Sequence, residues 1–264
     1  MEILGYILAI LTGTSLGLIG GGGSILTIPI LVYILGVEAA ETAPAYSLFI
    51  VGIASLIGVF VKAKNDEVDF KAAAYFGIPT VIAIFITRQY IVPAIPDIIL
   101  QTENFKLSKR FFIMGFFAVI MIAAAFIMIK GERKINEVHL SKKAPILNFF
   151  GGLGIGGLTG LIGAGGGFII IPALTKIGNL TMKTAIGTSL AIITMNSFFG
   201  FLGSIGRINI DWTLLILFTL LASTGIFIGT FFSKKINNAT LKKGFGYFVL
   251  IMGLFILIKE LLTN

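Results

Sequence analysis

Residues 17–31 read GLIGGGGSILTIPIL, and residues 160–174 read GLIGAGGGFIIIPAL. Each glycine-rich phrase interrupts an uncharged apolar stretch, Ile3–Val37 in one case and Ala144–Thr175 in the other. The stretches are 35 and 32 residues long, whereas a straight membrane span needs only about 20. A helix broken by glycines inside hydrocarbon exposes amides and carbonyls that lipid cannot satisfy, so the break must be packed in protein or face a polar cavity. Two such breaks in corresponding positions of two halves point to a transporter binding site.

Composition fixes the class. With 56% hydrophobic and 12% charged residues and a mean hydropathy of +1.02, the 264-residue chain has too little charge to cover a soluble globule. It reads as a polytopic membrane protein. Met1-Glu2 offers no basic leader, and the first apolar run outlasts a signal-peptide core, so that segment is expected to be retained. There are no cysteines, hence no disulfides or thiolate metal sites. The net charge of +8 comes from lysines at the ends of apolar segments, a membrane pattern rather than a nucleic-acid footprint.

Six further uncharged runs read as single spanning helices: Ala43–Val61, Ala72–Thr87, Phe111–Ile129, Thr184–Gly206, Trp212–Ser233 and Gly244–Ile258. Asp97–Arg110 reads as a polar loop, and the basic stretch KGERKINEVHLSKK (130–143) as a cytoplasmic linker between a first repeat, 1–129, and a second, 144–264. The halves align through the glycine phrases. After a one-residue slip, ETAPAYSL (41–48) matches KTAIGTSL (183–190), and Asp69-Phe70 matches Asp211-Trp212.

Charge decides how the broken elements cross. If both span, the 20 lysines and arginines divide evenly between the two sides. If both are re-entrant hairpins, fourteen gather on one side: Lys62, Lys64, Lys71, Lys130, Arg133, Lys134, Lys142, Lys143, Lys176, Lys183, Lys234, Lys235, Lys242 and Lys243. That obeys the positive-inside rule. Three true spans per repeat then invert the second half, place both termini outside and bring the hairpins in from opposite faces. The expected fold is therefore an all-α membrane protein of two inverted repeats, each a glycine-broken re-entrant hairpin plus three transmembrane helices. Two long helices with glycine kinks are the alternative.

The helices starting near Ser24 and Gly167 present unpaired amides and the positive end of a dipole, so together they suit an anion. Glycine allows close backbone approach, and Ser24 can act as N-cap or direct donor. The candidate binding residues on the breaks are Gly20, Gly21, Gly22, Gly23 and Ser24, with Gly163, Gly165, Gly166 and Gly167 opposite. Ser47 and Ser189 are repeat equivalents, Thr188 adjoins the latter, and Asn196 is an amide in mid-span whose counterpart is Ala54. Arg88, following Ala72–Thr87, is expected near the external mouth, as an interfacial anchor or an anion attractor. The bland reading is that glycines let helices approach and that buried hydroxyls bond back to their own helix.

All 12 carboxylates lie outside the uncharged runs, which disfavours a cation or metal carrier. GLGIGG (152–157) fits a dinucleotide-binding spacing, but no strand precedes it. The single histidine, His139, leaves no metal cluster or triad. An enzyme, a cofactor and a metal site are not expected.

The doubled glycine–proline phrase with GTSL at 187–190 resembles the sulfite exporter TauE/SafE family, also called the TSUP permeases, over essentially the whole chain. The resemblance implies a permease for small sulfur-containing anions such as sulfite or sulfonates. It maps the family's glycine–proline motif onto Gly17–Leu31 and Gly160–Leu174, and its TSL motif onto Thr188, Ser189 and Leu190. The first half carries Tyr46, Ser47 and Leu48 instead. The expectation is a plasma-membrane, multi-pass carrier of sulfite or an organosulfonate working by alternating access, with a small anion and the bilayer as partners and no nucleic acid. A carboxylate or other small-anion carrier and a non-transport membrane scaffold are the alternatives.

Overall fold

The computed structural model describes residues 2–20, 23–102, 105–130, 144–176, 180–233 and 238–263. Gly21, Gly22 and nearly all of the 130–143 linker lie outside the described residues. In chain order the elements are α1 (Glu2–Ile19), α2 (Ser24–Tyr33), α3 (Thr42–Ala63), α4 (Phe70–Ile86), a π-helical turn (Thr87–Ile91) and α5 (Val92–Ala94). Strands β1 (Ile98–Thr102) and β2 (Phe105–Ser108) follow, then α6 (Lys109–Lys130), α7 (Ala144–Ile162), α8 (Gly167–Lys176), α9 (Met182–Leu202), α10 (Trp212–Ser233) and α11 (Asn238–Thr263). Five helices are long and apolar enough to cross a membrane: Thr42–Ala63, Phe70–Ala94, Lys109–Lys130, Lys183–Leu202 and Trp212–Ser233.

Two expectations change. The polar loop before α6 is an antiparallel ribbon with Leu100 opposite Leu107 and Gln101 opposite Lys106. The run IILQT supplies the β-branched residues that favour it, so the fold is helical apart from this one hairpin among the described residues. The fourth helix also does not stop at Thr87. It continues through the π turn and α5 to Ala94, and that extension carries Arg88 inward.

Both breaks fall where the sequence places them, with α2 and α8 each only 10 residues long, about 15 Å of helix. The first element doubles back on itself. A β-carbon on Gly23 would stand 2.4 Å from the Leu16 amide nitrogen and 2.7 Å from the Thr12 carbonyl, and one on Gly5 would stand 2.5 Å from Leu35. The start of α1 is thus beside the end of α2.

Packing pairs the halves crosswise. Helix α1 lies along α10 and α7 along α4; α3 crosses α9; α6 lies along α11; α3 touches α10 and α4 touches α9. Small residues make this possible. Gly13 and Gly17 meet the backbone of α10 near Ala222 and Ile226, while Gly225 and Gly229 meet α1 at Ile10 and Thr14. Gly152, Gly156 and Gly160 rest on α4 at Pro79, Thr80 and Thr87, so two glycines of GLGIGG are helix-packing residues. The central pair is α3 and α9, 61% and 72% buried against 44% for the other three spans.

Three hydrogen bonds, made by two hydroxyls, tie α3 and α9 to loops of the opposite half. The Thr188 hydroxyl accepts from the Asp69 amide at 2.9 Å. The Tyr46 hydroxyl accepts from the Asp211 amide and donates to the Asn209 carbonyl at 3.3 Å. Asp69 and Asp211 then use their carboxylates to cap α4 and α10, accepting from Ala72 and from Thr213 and Leu214. Tyr46 therefore does at one end what Thr188 does at the other, with a longer side chain reaching the same kind of partner.

At the entry to α3, Glu38 accepts from the amides of Ala40, Glu41 and Thr42. Burial pushes its carboxyl up, but these amide bonds outweigh that and hold it below the ordinary value of 4.5. A depressed carboxyl stabilises the fold above its unfolded pKa and loses that contribution as pH falls through the folded one. Glu38→Gln should therefore lower the melting temperature at neutral pH and flatten its acid dependence below about 4.5. Tyr46→Phe and Thr188→Val should each cost about 1 kcal/mol, read as a lower thermal midpoint in detergent, and the double variant should be additive because the two hydroxyls are separate.

Candidate functional site

The sequence-predicted residues fall into groups around the two breaks. On the first, Gly20 is buried with φ +73, and a β-carbon there would stand 3.0 Å from Ile186, 3.2 Å from Ile171 and 3.2 Å from the Ser189 Oγ. The first glycine break and the TSL segment of α9 are in direct contact. Gly23, with φ −65, occupies the N-cap of α2 without a side-chain bond, so Ser24 is the first helical residue rather than the cap. A cleft of about 270 Å³, lined by Lys62, Asn65, Glu67, Lys183 and Ile186, lies under this break. Lys62 and Glu67 form an ion pair of 2.7 Å across it.

The second break is more specific chemically. Gly163, Gly165 and Gly166 have φ +81, +66 and +76. Gly165 adjoins Val51, Ile193 and the Ser197 Oγ, and Gly166 adjoins the Thr159 Oγ1. A β-carbon on Gly163 would stand 2.3 Å from Pro44 and 2.5 Å from Nη2 of Arg88. Gly167 is buried and opens α8, whose Ile169 and Ile170 amides bond to the Gly166 carbonyl.

Arg88 is buried inside the protein. Only 2% of it is exposed, because the π turn carries the helix past it. Its Nε and Nη2 atoms have no hydrogen-bond partner among the described residues. These two nitrogens lie on one edge of the guanidinium, where their N–H bonds run parallel and match two oxygens of an oxyanion. Orphaned donors of this kind cost free energy unless something accepts from them. The Arg88 carbonyl accepts from Arg207 Nη1 at 3.2 Å.

The remaining candidates divide. Thr188 is committed to the Asp69 amide, and Ser189 donates to the Ile186 carbonyl at 2.8 Å. Ser47 is fully buried with no partner for its hydroxyl among the described residues. Asn196 accepts from Thr80 Oγ1 at 2.9 Å while its Nδ2 lacks a partner. Sequence reasoning missed Ser55, Ser197 and Thr159, whose buried hydroxyls also lack partners. A signal was present for the first two, since Ser55 and Ser197 stand at the same spacing as Ser47 and Ser189.

The bundle thus sets buried hydrogen-bond donors and a buried arginine among apolar helices around its glycine breaks. The family profile of the sulfite exporter TauE/SafE matches residues 6–256. The chain belongs to the TauE/SafE family. A "Probable membrane transporter protein" of Methanocaldococcus jannaschii is 29% identical over 273 residues, covering 97% of this chain and 94% of the relative. Another of the same description from Xylella fastidiosa (strain Temecula1) is 25% identical over 256 residues, covering 94% and 91%. No solved structure matches the chain. This TauE/SafE protein is accordingly a multi-pass member of a membrane transporter family.

Within it, Gly163→Val should abolish substrate binding, because the side chain would occupy the space of Pro44 and the Arg88 guanidinium at a φ that L-residues avoid. Gly165→Val should be impaired through φ strain, about 1–3 kcal/mol. Gly115→Ala, with nothing within 4 Å, should bind as the parent does in a ligand-induced thermal-shift assay.

Proposed function

We propose that the protein is a secondary transporter of small sulfur-containing oxyanions, sulfite or an organosulfonate, working by alternating access between two inverted repeats. The observation that carries the anion reading is Arg88, a buried guanidinium whose two same-edge N–H groups lack partners beside the second glycine break. The sulfur chemistry is supported by the family description. Ser47 and Asn196, with the breaks at Gly20–Ser24 and Gly163–Gly167, are the further proposed binding residues.

The inverted arrangement of 1–129 and 144–264 has its own support. Exchanging α1 with α7, α2 with α8, α3 with α9, α4 with α10 and α6 with α11 turns the main packing pairs into one another. The same exchange swaps the Thr188–Asp69 bond with the Tyr46–Asp211 bond. The doubled-back α1 and α2 favour a re-entrant hairpin over a kinked span, and the charge count then puts both termini outside the plasma membrane.

Arg88→Gln should weaken anion binding about 10- to 100-fold, as expected for loss of charge-assisted hydrogen bonds, with the purified protein still monodisperse. Proteoliposome flux of sulfite and organosulfonates against acetate tests the substrate, and preference for acetate would favour the carboxylate alternative. A reporter fused after Asn264 should read external; a cytoplasmic signal contradicts the hairpin topology.

A further inference from the structure

The charge around Arg88 sets the charge of the anion it can accept, an inference that rests on the anion-binding reading above. From the start of α3, Glu38 and Glu41 act on the guanidinium electrostatically. Glu41 is ion-paired with Lys109, and Glu38 is held by three backbone amides. Beyond the end of α9, Arg207 reaches the Arg88 carbonyl. The break at residues 163–167, which closes the other side, brings no ionisable side chain. Glu38 and Arg207 are solvent-exposed and Glu41 with Lys109 is a neutral ion pair, so the charge left buried is the single positive charge of Arg88, whose donors are orphaned.

We infer that the Arg88 site selects singly charged oxyanions, such as a sulfonate or hydrogensulfite, over dianions such as sulfate and fully ionised sulfite. A monoanion on the Nε–Nη2 edge leaves the buried site neutral. A dianion leaves one uncompensated charge in a region of low dielectric, and burying an unpaired charge is strongly unfavourable. The fork also needs only two acceptor oxygens, which a sulfonate supplies while its organic group points elsewhere.

Binding of three probes to the purified protein at mildly acidic and mildly alkaline pH tests this. Methanesulfonate, a monoanion throughout, should bind alike at both. Sulfate should bind at least about tenfold more weakly than methanesulfonate at both. Sulfite should weaken as hydrogensulfite gives up its proton. Arg88→Lys keeps the charge and removes the fork, so its affinity should fall while the preference for methanesulfonate over sulfate persists. Sulfate binding as tightly as methanesulfonate, or sulfite binding that tightens with pH, overturns the charge rule and leaves anion transport standing. Failure of all three probes to bind overturns the anion reading together with it.

Discussion

Hydrocarbon offers no hydrogen bonds, so a broken helix at membrane depth survives only where protein wraps the break. Much of the architecture answers that demand. Every residue of α2 from Ser24 to Val32 is buried, as are the glycines from Gly163 to Gly167. The two most buried spans, α3 and α9, supply most of the wrapping: Val51, Ile186, Ser189, Ile193 and Ser197 meet Gly20 or Gly165, with Ile171 of α8 beside Gly20 as well. The longer arms α1 and α7 are held against α10 and α4 through glycine contacts close enough for backbone to touch backbone.

Glycine thus serves two physical ends here, and spacing separates them. Gly13, Gly17, Gly225 and Gly229, or Gly152, Gly156 and Gly160, recur every fourth residue and put a smooth stripe against a neighbouring helix. Gly20, Gly163, Gly165 and Gly166 ignore that period and carry positive φ. The first kind is replaceable wherever the neighbour can retreat. The second is tied to a backbone conformation and to what lies beside it.

That distinction was legible in the sequence, because runs of glycine next to proline have no helical period, and so were the two breaks ahead of α2 and α8. The burial of Arg88 was hidden for a definable reason. A single arginine after an apolar run of ordinary length reads as the end of a helix, and nothing in TRQYIVPA announces that a π turn will continue it. The ribbon at 98–108 was hidden likewise, since its strands are of 5 and 4 residues, shorter than a pattern can declare. The departure of Tyr46 from the threonine of the TSL segment looked like lost symmetry. The equivalent bond is made by a different side chain, which only the position of the Asp211 amide reveals.

The two halves nevertheless differ where charge is concerned. At the spacing that pairs Asp69 with Asp211, Arg88 pairs with Thr230, whose buried hydroxyl also lacks a partner among the described residues. The glycine contacts agree with this pairing, as Gly160 rests on Thr87 and Gly17 meets Gly229, the counterpart of Thr87. Under the proposed repeat, the position that carries a guanidinium in one half therefore carries a neutral hydroxyl in the other. A mirror-like pair of sites would bind an anion equally from either side. One fixed cation makes the two halves unequal in charge while leaving their packing interchangeable.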